Sequence, residues 1–364
     1  MDNGKKRPAA GLAVLLLLAT VPLLTPGCGE KAESSVASLD AAVVPGADFS
    51  GRIDYRTARK SPAVNTILRV REEKSPVAAR ADEEQAREFE AAAGFSRDDL
   101  LTVLFSGDVD GVDPGNPGKG ESYREMNAVL AFAFDRALSR EQLEAGLRAL
   151  FTEDSQSRVE EGEVGGRKVF TVTNDGYSGP MLYAALSRDG RTIFFTPNAP
   201  SMEKVCSREE ERRVEELPAS LERVERFLPP KSQLKTSFVV PEPMKLKIEE
   251  ELSSLEKDAS KNPGMGMALG LMAPFRKISS LSLGVNFGEG LDFGMSADLE
   301  GEGEALQAAT ILQTILLPLL KAKLSQQGGA AIDGIEEKIS VSSSGPNLHF
   351  TVSLDPADLE ALQL

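Results

Sequence analysis

The chain has 364 residues, 41 basic against 56 acidic side chains and a formal net charge of −15. An acidic excess of that size repels phosphate backbones and anionic lipid headgroups, so nucleic acid is excluded as an expected partner, as is electrostatic binding to a membrane. One histidine, two cysteines and no tryptophan also leave no material for a multi-ligand zinc site, a disulfide framework or an indole platform for sugars.

Lys5, Lys6 and Arg7 open the chain, and Leu12 to Leu24 is apolar except for Thr20 and Pro22. That run is short of the roughly 20 apolar residues a spanning helix needs, and it has the length of a secretory core. It ends at Thr25-Pro26-Gly27-Cys28, which resembles the lipobox of bacterial lipoprotein precursors. The resemblance implies cleavage before Cys28 and diacylation of its thiol. Acyl chains contribute about 0.8 kcal/mol per buried CH₂, enough in pairs to hold a soluble body at a bilayer. Gly29 rather than Asp follows the cysteine; by the same resemblance this implies the outer membrane, with the body facing the periplasm. The expected partners are therefore the membrane, through the lipid, and a protein or an apolar ligand.

The expected division is a signal peptide over 1–27, the lipidated cysteine and a flexible tether over 28–47, a first α+β repeat over 48–207, a charged helical connector over 208–230 and a second α+β repeat over 231–364. The mature chain keeps 38 basic and 55 acidic residues, a charge of −17. With Cys28 acylated, Cys206 is its only thiol, and the helical pattern around it reads as a small buried hydrophobe.

In the first repeat a strand is expected over Gly51–Arg56, followed by a helix opened by Ser61 and Pro62. Pro76 should break that helix before a second one over Asp82–Ala93. Leu100–Gly107 reads as a strand, and Ala128–Phe134 is apolar on both faces, the mark of a central strand. Ser139-Arg140-Glu141-Gln142 is a capping box, and Leu143, Leu147, Leu150 and Phe151 follow at helical spacing. Four further strands read at 159–164, 168–173, 181–187 and 191–196, the first two joined by Gly165-Gly166.

The second repeat restates that order. Strand Leu234–Val240 leads to helix Met244–Lys257, an apolar Met265–Phe275 segment and strands Ile278–Phe287 and Leu291–Leu299. A helix over Glu304–Leu324, strands Glu337–Ser343 and Leu348–Leu354, and a short helix capped by Asp355 complete it. The expected class is α+β: duplicated antiparallel sheet units with helices packed on one face. Apart from the lipobox, the mature part resembles only uncharacterised secreted bacterial proteins.

No catalytic, metal or cofactor residues are assigned. His349 alternates with apolar Leu348 and Phe350, which places it outward, in solvent, with Thr351 and Ser353. A lone exposed histidine argues against Ser-His or Cys-His chemistry. Asp108 to Asp113 imitates the start of a calcium loop, but Val112 and Lys119 break the EF-hand pattern. The loop from Asp108 to Tyr123 is long enough to be a contact site. Asp135, Asp175 and Asp189 are candidate acid/base groups for a carboxylate hydrolase if the fold pairs them. The helix Glu304–Leu324, apolar almost all round and kinked by Pro318, and the Met265–Met272 stretch are the alternative: a groove for an apolar ligand, in a lipid carrier. The leading expectation is a non-catalytic structural or binding component of the cell envelope.

Overall fold

The computed structural model describes residues 37–108, 126–151, 157–175, 179–211, 227–259, 269–318 and 334–361. The chain forms two compact units, one from residues up to 60 together with 71–217, the other from 61–70 together with 218–364. Each is an antiparallel sheet with helices, so the class is α+β. No helix among the described residues is long and apolar enough to cross a membrane.

The first unit orders its strands β1 (Phe49–Asp54), β2 (Leu100–Gly107), β3 (Ala128–Phe134), β7 (Thr192–Thr196), β6 (Pro180–Leu186), β5 (Arg167–Asn174) and β4 (Ser157–Val164). All neighbours are antiparallel. Gly165 and Gly166 both take positive φ, at 57° and 76°, as the tight turn between β4 and β5 requires. Strand β3 is buried on both faces, in keeping with its two-sided apolar run. The helices of this unit are α1 (Tyr55–Arg59), α3 (Pro76–Ala93), α4 (Arg140–Phe151) and α5 (Ala199–Glu211), while α2 (Pro62–Lys74) has residues 62–70 in the second unit and only its last turn in the first. Pro76 separates two helices as expected, α2 ending at Lys74, but the second begins at Pro76 itself and not at Asp82. It sits at the first turn of α3, where its missing N–H costs nothing, and α3 runs on to the left-handed cap at Gly94. The capping box before α4 forms as expected: Gln142 N donates to Ser139 Oγ at 3.2 Å, and Ser139 N to Gln142 Oε1 at 2.9 Å.

Two expectations for this unit need correction. The helices are not confined to one face. Val129, Ala131 and Ala133 of β3 pack with Met202, Val205 and Cys206 of α5. On the opposite face, Phe95, just after α3, packs edge-on to Phe134, and Arg140 of α4 lies over Phe170. Because β3 is apolar on both sides, both of its faces must be covered, and one helical layer cannot do that. The tether is also shorter than 28–47. Ala37–Ala42 forms a 3₁₀ turn, and Leu39, Ala41, Ala42, Val44 and Ala47 are buried in the core under α5. Arg208 Nε donates to Ala41 O at 2.9 Å and Val44 N to Ser106 Oγ at 2.9 Å, which fixes the turn in place. The alternation of Leu39, Ala41, Ala42 and Val44 is a core signature that the neighbouring Pro45-Gly46 obscures.

The second unit has the order β8 (Leu234–Val239), β9 (Ile278–Phe287), β10 (Leu291–Leu299), β12 (Asn347–Leu354), β11 (Ile339–Ser344). This repeats the first unit's β1-β2-β3-β7-β6, the first unit adding the β4–β5 hairpin. Its helices are α6 (Glu242–Ala259), α7 (Glu302–Ile311), α8 (Ile335–Lys338) and α9 (Pro356–Ala361). The Asp355 cap is reciprocal: Asp355 N donates to Asp358 Oδ2 at 2.8 Å and Asp358 N to Asp355 Oδ1 at 2.9 Å.

Helix α7 lays Ala305, Ala308 and Ala309 on Leu299, Val341 and Leu348. The helix expected from Glu304, with its kink at Pro318, is interrupted ahead of that proline by a π-turn over Leu312–Leu316. Proline supplies no N–H to the preceding turn, so the ladder shifts upstream of it. The turn leaves Gln313 Nε2 2.7 Å from the Val341 carbonyl, to which it donates.

Candidate functional site

Cys28 lies outside the described residues, as do the Asp108–Tyr123 loop beyond Asp108, Met265 and Met267. The candidate acids are not brought together. Asp135 pairs with Arg56, Asp175 with Arg158 at 3.4 Å, and Asp189 Oδ1 accepts from Ser187 Oγ at 2.6 Å and Arg191 N at 3.0 Å. A cleft of about 560 Å³ in the first unit gathers Arg140, Arg167, Lys168 and Arg188. Its four cations pair with Glu161, shared by Arg140 and Lys168, and with Glu209 and Glu210, and Asp189 also lines the cleft, so four carboxylates offset the four cations. Cys206 is 3% exposed, and burial pushes its thiol pKa up against the opposing pull of Arg167. Among the described residues, no group of three or more His, Cys, Asp or Glu is placed to hold a metal ion.

Of the apolar helix expected to line a groove, α7 buries its alanines against the sheet, although Leu306 is exposed.

The polar face of the second sheet is the most unusual surface of the molecule. Register places Ser237 (β8), Ser282 (β9), Ser296 (β10), His349 (β12) and Ser342 (β11) side by side in one row. The rows on either side are Lys235, Gly284, Gly294, Thr351, Ser340 and Val239, Ser280, Asp298, Asn347, Ser344. Strict alternation in every strand gathers these small polar residues on one face. Ser237, Ser280, Ser282 and Ser296 are at most 1% exposed, whereas Leu283, Phe293 and Met295 on the apolar face are only half-buried.

His349 is therefore not a solvated strand residue. Alternation puts it on the polar face, but its ring is half-buried there beneath Phe227. The ring of Phe227 stacks on the imidazole at 3.8 Å between centroids, and Ser296 Oγ lies 3.1 Å from Nδ1. Nε2 is buried. The segment from Phe227 to Ser232 crosses this face. Leu228 is buried against Gly284 and Pro229 lies on Gly294, where a Cβ would sit 2.9 Å and 2.5 Å from them. The two glycines form a trench that any side chain would fill.

Chemically, the row offers hydroxyls and one imidazole as hydrogen-bonding groups. In a nucleophilic triad Nδ1 faces the carboxylate and Nε2 the hydroxyl. Here Nδ1 faces the hydroxyl, and Ser296 has no exposed surface from which to attack a substrate. Ser237 Oγ and Ser282 Oγ are 2.6 Å apart. Ser280 Oγ and Asn347 Oδ1 are buried without a hydrogen-bond partner among the described residues. The sequence holds the signal for this face in the spacing Ser280, Ser282, Gly284, Asn286 and Asp292, Gly294, Ser296, Asp298. Reading polar as solvated concealed it.

Comparisons with protein-family models, with curated proteins and with solved structures gave no match to this chain.

Proposed function

We propose that the protein is a lipid-anchored component of the bacterial cell envelope, acylated at Cys28, whose folded body acts by binding or as structure and not by catalysis. The observation that carries this reading is the N-terminal sequence itself: basic Lys5-Lys6-Arg7, the apolar Leu12–Leu24 run and the small residue Gly27 directly before Cys28. Only a thiol accepts the thioether-linked lipid, and a small neighbour lets the scissile bond enter a peptidase. Leu39, eleven residues after Cys28, is already part of the core, which suits a body held close to a bilayer surface. Gly29 favours the outer membrane and a periplasmic orientation.

The non-catalytic half of the reading is supported by the geometry at His349 and by the dispersal of Asp135, Asp175 and Asp189 into separate pairings. The test of the anchor is metabolic labelling with palmitate, with membrane fractionation of the wild type and Cys28→Ala. Label and membrane association are expected in the first and absent from the second. Equal processing and equal fractionation of the two proteins would remove the anchor from the account. A reproducible hydrolytic activity of the purified protein would remove the other half.

A further inference from the structure

We propose that the segment Phe227–Ser232 is a reversible strap, whose release uncovers the serine row and His349 of the second unit. This stands whether or not Cys28 is acylated. A sheet face meant to stay buried is built from apolar residues, because each polar group taken from water needs a partner. The face the strap crosses is made instead of Ser, Gly, Asn, Asp and His, and in the row beside that of His349, Ser280 Oγ and Asn347 Oδ1 are buried without partners among the described residues. Such a face loses little on meeting water.

The strap is held under backbone strain. Its anchors include the buried Leu228 side chain, Pro229 on Gly294 and the Phe227 stack on His349. Its exit is pinned where Phe287 N donates to Gln233 Oε1 at 2.6 Å. Between these points Lys231 has φ 63°, the one non-glycine residue with positive φ among those described, within a turn closed by Ser232 Oγ donating to Pro229 O at 2.6 Å. A lysine in that conformation is disfavoured, and release of the strap relieves it.

The chain has a single histidine, so carbethoxylation by diethylpyrocarbonate, read by mass on the peptide holding residue 349, reports this site alone. With Nδ1 engaged by Ser296 and Nε2 buried, the reagent needs the strap to move. In the full-length protein the reaction is expected to outrun global unfolding, measured by hydrogen exchange of the β9 and β10 core amides. Gly294→Ala, whose Cβ displaces Pro229, should speed it about tenfold, while Lys231→Gly, which relaxes the turn, should slow it about threefold. Reaction of the wild type only at the rate of global unfolding overturns the proposal. So does an unchanged rate in Lys231→Gly, a comparison that holds even if Gly294→Ala fails to fold.

Discussion

The ring of Phe105 lies directly over Gly51, its cross-strand partner on β1. A strand glycine exposes backbone and has nothing to pack, and an aromatic ring laid across it supplies the missing cover. Gly51→Ala places a methyl where the ring lies, and the ring must swing away from the sheet. The expected cost is about 1–2 kcal/mol in urea denaturation. In a Phe105→Ala background the sign reverses. The methyl then enters free space and the strand gains about 0.5 kcal/mol from the loss of glycine's flexibility. Additive effects in the double-mutant cycle would show that the ring does not depend on this glycine.

Tyr55 opens α1 and is 1% exposed, with Arg59 5.9 Å from its ring centroid. Burial raises its phenol pKa to about 12, against the opposing pull of Arg59 and Arg97. In the unfolded chain the phenol ionises near its ordinary value of about 10. The folded state therefore holds the proton more tightly. Its contribution is fully present below about pH 10 and is lost as pH rises through 12, with a two-unit shift setting the ceiling at about 3 kcal/mol. Tyr55→Phe removes this dependence. Urea denaturation at about pH 8 and about pH 11 should show the wild type losing stability against the variant only at the higher pH.

What was legible in the sequence followed from local rules. The hairpin at Gly165-Gly166, the capping boxes at Ser139 and Asp355 and the two-sided strand Ala128–Phe134 each depend on a few neighbouring residues, and each forms as read. What was not legible depended on what lies across a face. Alternation places His349 with Thr351 and Ser353 correctly, yet nothing within β12 says that Phe227, more than a hundred residues upstream, stacks on it. Leu39 to Ala47 reads as a spacer because Pro45-Gly46 breaks its pattern, whereas its burial is decided by Met202, Val205 and Cys206. Pro76 ends one helix as read, but the next begins at the proline itself and not at Asp82, because the residue that breaks a helix interior is also well placed at a first turn.

Arg97 ties the end of α3 to the turn before β2. Its Nε donates to Glu90 Oε1 at 2.7 Å, its backbone N–H to the same oxygen at 2.8 Å, and its Nη2 reaches Glu83 at 3.3 Å. Burial alone would raise the Glu90 carboxyl pKa, but the backbone N–H and guanidinium of Arg97 outweigh it and hold the group below its usual range. A depressed carboxylate stabilises the fold above its unfolded pKa and loses that contribution as pH falls through the folded value. Glu90→Gln should therefore cost about 1–2 kcal/mol near pH 7, and the gap to the wild type should close only as pH falls through the depressed folded pKa, beneath the usual carboxylate range. A gap that persists in acid would assign the cost to packing and not to charge.

Leu39 decides whether the stretch before β1 is spacer or core. It is 5% exposed, Ala42 and Val44 beside it are at most 1% exposed, and the turn that carries them is fixed by Arg208 and Ser106. A residue in a flexible tether could be changed with an effect within about 0.5 kcal/mol. Removing a buried leucine side chain takes away its transfer free energy and leaves a cavity that the β3 and α5 side chains close only in part. Leu39→Ala should therefore cost about 2–4 kcal/mol in urea denaturation of the full-length protein. The loss should also appear as faster hydrogen exchange along β3 and α5, whose side chains form the other wall of the site. Arg208→Met, which keeps the aliphatic stem but removes the donor to Ala41 O, should cost less, about 1 kcal/mol, because the carbonyl can turn toward water once the turn loosens. If both substitutions left stability and exchange unchanged, the 3₁₀ turn would not be part of the core, and the body would begin at β1.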